Sequence, residues 1–434
     1  MTWISQVVFV IVVAVPNYFL IKRIRQIRAN ILLGKDINRS DNKSERWKAM
    51  FLIAFGQKKM FKKPIPALLH LMIYVGFLVI NLEVLEFLID GILGTHRIFS
   101  SYIGGLYPLA MNMFEGLALA VLLSCVFFLF RRNVLKVERF EKIEMIGWPA
   151  LDANLILMIE IVLMMAILKM NAADQILQDR GVAGYVDTGH LYISGLIIPL
   201  LDSFSDSFLV IIERGAWWFH LIGIFAFAVY VTYSKHLHIF LAFPNTYYSN
   251  LEAKGKIDNM ESVTNEVKLM LGMPVEGAGA PPEEVARFGA KDAVDLSWKS
   301  LMEAYSCTEC GRCTEQCPAN QTGKKLSPRK IMMDTRDRIE EIGAGKGGEK
   351  NLFGDYITKE EINACTSCNA CTEACPINID PLSIILEMKR YVAMEESGSP
   401  ASWNAMFSNI ETNFAPWKFS TADRFNWSQE LNEK

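Results

Sequence analysis

The chain has 434 residues, room for two or three domains, and a formal net charge of −3 that gives no basis for nucleic-acid binding. It is 51% hydrophobic with a mean hydropathy of +0.20. That is too apolar for an ordinary soluble globule and too polar for a chain lying wholly in lipid, so part of it is expected in a membrane. Eight of the nine cysteines crowd residues 307–375 at a repeated spacing, which excludes a secreted disulfide framework and points to a reducing compartment.

In chain order, five apolar runs approach the ~20 residues a helix needs to cross a bilayer. They cover about 3–20, 65–89, 106–130, 150–170 and 216–240. The first has no basic residue before it and is followed by KRIRQIR. It reads as an uncleaved anchor with its N-terminus outside, not as a signal peptide. Residues 22–63 carry 13 Lys/Arg against three acids, whereas 173–213 carry six acids and only Arg180. Basic loops stay on the cytoplasmic side, so everything beyond about 240 is expected in the cytoplasm. Glu83, Glu86, Glu115 and Glu160 fall in or near these runs, where charge is costly. Proton handling at a quinone site and hydrogen bonding between helices by neutral carboxyls both account for them.

Only six histidines are present, two of them in YSKHLHIF at 233–240. Read as one continuous helix, His220 and His238 are 18 residues apart. That is five turns on one face and a rise of ~27 Å, with His236 pointing away. His70 lies at the start of the second run and His238 at the end of the fifth, at matching depth. Two neutral imidazoles at one depth can hold a haem b iron from both sides. His220 is the candidate for a second haem, but the position that would face it holds Ile80. His96 and His190 fall in outer loops and receive no role.

Residues 244–300 form a linker containing PVEGAGAPPEEV. Residues 301–394 hold the cysteine motifs, and 395–434 form a tail with Trp403, Trp417 and Trp427. The tail is expected to dock a partner subunit, or else its tryptophans pack on their own domain.

The motifs are CTECGRCTEQCP at 307–318 and CTSCNACTEACP at 365–376. Each is C-x2-C-x2-C-x3-C-P, the spacing of two-cluster ferredoxins, where the fourth cysteine of one run ligates the other cluster. This assigns Cys307, Cys310, Cys313 and Cys375 to one [4Fe–4S] cluster and Cys365, Cys368, Cys371 and Cys317 to the other. Structural zinc would need only four of these ligands and uses other spacings. The long connection between the motifs contains LSPRKIMMDTRDRIEEI, a helical stretch that favours an α-helical ferredoxin module. Cys125 lies inside an apolar run and reads as an inert thiol.

These residues carry a resemblance. The second and fifth runs, with His70, His220, His238 and the SKHLH ending, resemble the cytochrome b (gamma) subunit of respiratory nitrate reductase. The cysteine half is similar to the cluster subunit of heterodisulfide-reductase-like oxidoreductases. The fused arrangement resembles bacterial membrane-bound electron-transferring-flavoprotein:quinone oxidoreductases. The resemblance implies an all-α protein in which residues 1–243 form a five-helix transmembrane cytochrome b bundle. A cytoplasmic α-helical ferredoxin domain would follow it. It implies an oxidoreductase subunit that relays electrons between a cytosolic redox partner, such as an electron-transferring flavoprotein, and quinone. The cofactors would be two [4Fe–4S] clusters and one haem b on His70 and His238. Such relatives continue into cysteine-rich CCG domains, so a separate CCG-domain subunit is expected as a partner. A membrane-tethered accessory ferredoxin without haem or quinone turnover is the competing expectation.

Overall fold

The computed structural model describes residues 3–275 and 287–432. Among the described residues every regular element is a helix, and only the isolated bridges Lys35–Ser297 and Phe353–Ile357 pair extended backbone. The part of the linker at 276–286 lies outside the described residues.

Five helices are long and apolar enough to cross a membrane. They are α1 (Trp3–Ile31), α2 (Pro64–Leu93), α3 (Tyr107–Asn133), α4 (Trp148–Asp179) and α5 (Asp206–Val231). Pro64, Pro108 and Pro149 sit in the first turn of α2, α3 and α4, where no N–H is required and the fixed φ suits the helix. Gly94 closes α2 at φ 76 and donates its N–H to the Asp90 carbonyl.

The five helices pack in sequence order, and α5 closes back on α1. Phe9, Phe87, Val121, Leu163, Trp217 and Leu221 fill the interior. Leu78, Leu85, Leu109, Leu123 and Ile211 face outward and exposed. A belt of that kind suits lipid rather than water. The approach of α1 to α2 is close enough that a Cβ at Gly91 would meet the Phe9 ring at 2.1 Å and force that ring to move.

The fifth apolar run is not one helix to residue 240. The helix α5 stops at Val231, and Ser234 is extended with φ −114 and ψ 157. A short 3-10 turn follows at Lys235–Leu237, and α6 (His238–Tyr247) starts afresh. The break lies at Thr232 and Ser234, whose hydroxyls bond local backbone: Thr232 donates to the Val229 carbonyl and Ser234 accepts from the His236 N–H. Side chains of this type compete with the helical ladder. The 18-residue phase relation between His220 and His238 therefore does not exist.

The cysteine-bearing part is built on α7 (Trp298–Ser306), α8 (Pro328–Gly343) and α9 (Pro381–Met394). Each begins at a side-chain cap: Ser297 accepts from the Ser300 N–H, Ser327 from Lys330, and Asp380 from Leu382 and Ser383. Its core joins Ile331, Ile339, Ile384 and Met388 to Ile27 of α1 and to Leu237. The cluster-bearing part is thus seated on one end of the bundle, the end where α1, α3 and α5 finish and α2 and α4 start. Beyond it, α10 (Ala401–Asn413) leads a tail in which Trp403, Trp417 and Trp427 are exposed.

Candidate redox centre

The two cysteine motifs fold alike. In the first, Glu309 and Gly311 take left-handed backbone at φ 55 and 72; in the second, the matching Ser367 and Asn369 do so at φ 56 and 60. Glycine and asparagine tolerate that region best. The turns bring backbone N–H groups onto sulfur: Glu309 donates to Cys307 Sγ at 3.4 Å, Ser367 to Cys365 Sγ at 3.4 Å and Ile379 to Cys375 Sγ at 3.2 Å.

The thiols line two cavities. One is lined by Cys307, Cys310, Cys313 and Cys375, together with Arg312 and Ile377. The other is lined by Cys317, Cys365, Cys368 and Cys371, together with Pro318 and Leu326. Each cavity thus takes three thiols from one motif and the last thiol of the other. Burial pushes the thiols of Cys307, Cys371 and Cys375 up to about 12. Neutral thiols in apolar cradles become ligands only when a metal displaces their protons, so four converging sulfurs in a cradle fit a cubane cluster.

The first cavity abuts the bundle. Arg312 donates to the Met60 carbonyl at 3.4 Å and is in electrostatic reach of Cys310, Cys375 and His70. Lys59, beside Cys375, donates to Asn378 Oδ1 at 2.9 Å, and burial pushes its ammonium down to about 8. In the second cavity Cys368 is exposed.

Within the bundle end, the His70 and His238 rings lie with centroids 6.3 Å apart and planes inclined by 39°. Two imidazoles bound through nitrogen on opposite sides of one metal, each at about 2 Å, have ring centres about 6 Å apart. Their Nδ1 atoms are already engaged: His70 with Gln57 Oε1 at 3.2 Å and His238 with the Lys235 carbonyl at 3.2 Å. That bond fixes the tautomer that presents Nε2 as a ligand. The residues present therefore fit a bis-imidazole haem. His236 does not point away from this centre, as helical phase alone suggests. The 3-10 turn carries it to 5.3 Å from the His238 ring and 5.6 Å from Phe227. His220 is buried among Phe87, at 6.1 Å, and the Leu163 carbonyl, at 3.0 Å from its Nδ1. The structure brings no second imidazole to it.

Residues that sequence reasoning passed over join the two parts. Glu309, inside the first motif, is buried and bonds Lys235, while Arg336 of α8 donates to it at 2.8 Å. Glu315 bonds Lys63, and Arg139 donates to it at 2.9 Å. Glu144 accepts from Arg329 at 2.7 Å and from Ser327 at 2.6 Å. In the sequence, the basic residues of the loops read only as a topology signal.

A family model for a 4Fe-4S dicluster domain matches residues 306–379. The chain is 26% identical, over 98% of its length and 61% of the relative's, to a probable iron-sulfur-binding oxidoreductase, FadF, of Bacillus subtilis. It is 27% identical, over 99% of its length and 60% of the relative's, to an EtfAB:quinone oxidoreductase of Syntrophomonas wolfei. A probable membrane-anchored ferredoxin of Chromohalobacter salexigens is 26% identical over 34% of this chain and 25% of its own. The chain thus spans about 60% of the length of the first two relatives. No solved structure matches. The motifs, the four-thiol cradles and these likenesses together support electron transfer of the iron–sulfur oxidoreductase type, by a chain with five membrane-spanning-length helices.

Proposed function

We propose that the chain relays electrons between a cytosolic redox partner and quinone at a bacterial cytoplasmic membrane, with residues 301–394 on the cytoplasmic side. The observation that carries this reading is the order of the three sites. The outer four-thiol cavity has Cys368 at the surface, the inner one is buried against the bundle, and the His70–His238 pair lies just beyond it. Two [4Fe–4S] clusters and one haem b, when bound, supply one-electron carriage.

The protein's own residues position and tune these sites. Cys317 and Cys375 are exchanged between the cradles, which locks both motifs into one unit. Backbone N–H groups on Cys307, Cys365 and Cys375 stabilise negative charge on sulfur. Lys59 and Arg312 place positive charge beside Cys375. Gln57 and the Lys235 carbonyl hold the two imidazoles at Nδ1. The likeness to an EtfAB:quinone oxidoreductase supports an electron-transferring flavoprotein as the cytosolic partner and quinone as the membrane one. The exposed tryptophans of the tail offer a docking point for a further subunit.

The likeness to a membrane-anchored ferredoxin favours the competing reading, clusters without haem. A reduced-minus-oxidised spectrum of the purified protein separates the two. The relay predicts a b-type α-band that disappears in His70→Ala and in His238→Ala and survives in His220→Ala. A chain that purifies with full cluster iron and no such band would leave only the ferredoxin reading.

A further inference from the structure

The end of the bundle opposite the cysteine motifs holds a second cluster of ligating side chains. His96 lies in the turn between α2 and α3, Asp174 near the end of α4, and Glu213 two turns into α5. His96 Nε2 is 3.3 Å from Asp174 Oδ1 and 3.9 Å from Glu213 Oε1. One ligand atom from each of the three lies within 4.8 Å of the others. Tetrahedral ligands at about 2.0–2.2 Å from one zinc ion lie about 3.3–3.5 Å apart. The imidazole and Asp174 are already at that spacing, and Glu213 needs to move about half an ångström closer to the imidazole, with a shift toward Asp174 as well.

Two observations favour a cation here. Asp174 is wholly buried, and its Oδ1 has no hydrogen-bond donor of good geometry, its one close polar neighbour being His96 Nε2 at 3.3 Å. Its other oxygen is fully engaged, taking the Arg97 Nε–H and the Gln178 amide, each at 3.1 Å. A buried carboxylate oxygen without a donor is expensive. The positive charge here is also shared, since Arg97 pairs with Asp174 at 3.0 Å and reaches Glu83 at 3.5 Å. Arg214, with its side chain 27% exposed, donates to both Glu213 oxygens, so a cation at this site would have to displace it. Tyr185 donates to Glu213 Oε2 at 3.1 Å and would keep that carboxylate oriented once Arg214 leaves.

We propose that His96, Asp174 and Glu213 form a binding site for a divalent transition cation of the zinc type. One imidazole nitrogen and two carboxylate oxygens suit zinc better than calcium or magnesium, which take all-oxygen shells. The site lies a bundle length away from the cysteine motifs, and nothing in the electron relay requires it. It would tie α4 and α5 to the turn after α2.

The test uses the full chain purified in detergent with its clusters intact, since empty cysteine cradles would themselves take zinc. After washing with a chelator too weak to strip the clusters, zinc uptake is measured by equilibrium dialysis and elemental analysis, with iron followed in parallel. Wild-type protein is expected to retain about one zinc per chain. His96→Gln and Asp174→Asn should each weaken binding by at least ~100-fold, more than loss of an outer-shell partner costs. Calcium should not compete. Arg214→Gln, at the rim, should tighten binding by freeing Glu213, and it serves if the buried Asp174→Asn variant does not fold. Absence of zinc in the wild type would overturn the proposal, as would equal zinc in the wild type and His96→Gln at equal iron content.

Discussion

Among the contacts that join the bundle to the cysteine motifs, one buried carboxylate has a removal cost that can be calculated. Glu309 lies between Cys307 and Cys310 with its side chain 3% exposed, and it bonds both Lys235, 8% exposed, and Arg336, 20% exposed. Breaking a buried pair by removing one partner costs about 3–5 kcal/mol, because the other charge stays buried. In Glu309→Ala the Lys235 ammonium keeps only the Pro149 carbonyl, at 2.6 Å, and Asp152, at 4.0 Å. Arg336 can reach water. The cost should therefore fall at the lower end, about 3 kcal/mol. In Lys235→Met the carboxylate keeps Arg336 at 2.8 Å, and the methionine fills the space. That cost should be about 1 kcal/mol.

The midpoint of thermal cluster bleaching reads this out. Glu309→Ala should lower it by roughly 12–24 °C, from ~4–8 °C per kcal/mol for a domain of about 100 residues, and Lys235→Met by several degrees. The double variant should fall short of the sum by about 1–3 kcal/mol, because the two groups are in contact. The b-type band should persist in Lys235→Met, since His238 is held by the Lys235 backbone carbonyl and not by its ammonium. Equal losses in the two single variants, or strict additivity in the double, would refute the claim that Glu309 is the shared partner.

The exchange of ligands between motifs gives a sharper count. Cys317→Ser combined with Cys368→Ser should halve the iron, from about eight to about four atoms per chain, whereas Cys317→Ser with Cys310→Ser should remove nearly all of it; if the first pair removes everything, each motif serves its own cluster. Acid tests a different joint. Burial pushes the Asp292 carboxyl up, but the Arg338 hydrogen bonds hold it below its ordinary value. A depressed folded-state value contributes stability that is present above the ordinary carboxylate range and lost as pH falls through the folded value. The stability gap between wild type and Asp292→Asn should therefore be constant near neutrality and narrow below about pH 4; a gap that widens with acid would contradict the pairing.

Chemistry that repeats along the chain is legible in the amino-acid sequence alone. Cysteine spacing depends on a few local turns, and those turns form as the motif requires, with Gly311 and Asn369 at the left-handed positions. The five apolar runs are legible because bilayer thickness fixes helix length, although α4 continues to Asp179 and α5 begins at Asp206, beyond the apolar windows. Helical phase fails where hydroxyl side chains break the ladder. Thr232 and Ser234 end α5, the turn resets the direction of the chain, and His236 joins the centre that phase would have it leave. His96, Asp174 and Glu213 escape sequence reasoning for another reason. They lie far apart in sequence, in no motif, and only the packing of α4 against α5 brings them together.

The basic residues that mark the membrane sidedness do a second job. Lys62 and Lys63 precede α2, and each meets a glutamate of a cysteine motif: Lys62 bonds Glu373, and Lys63 bonds Glu315. Arg139, after α3, shares Glu315. Both glutamates occupy the same place, two residues before the last cysteine of their motifs. In CTECGRCTEQCP and CTSCNACTEACP alike, the glutamate in the final three-residue gap faces the bundle. The internal repeat thus places two carboxylates on one side of the cluster-bearing part, and the positive end of the bundle supplies their partners. Single exposed pairs of this kind contribute little stability. Two of them, one per motif, add to the buried contacts that seat that part in one orientation on the bundle. That orientation puts the cavity of Cys307, Cys310, Cys313 and Cys375, and not the other, next to His70 and His238.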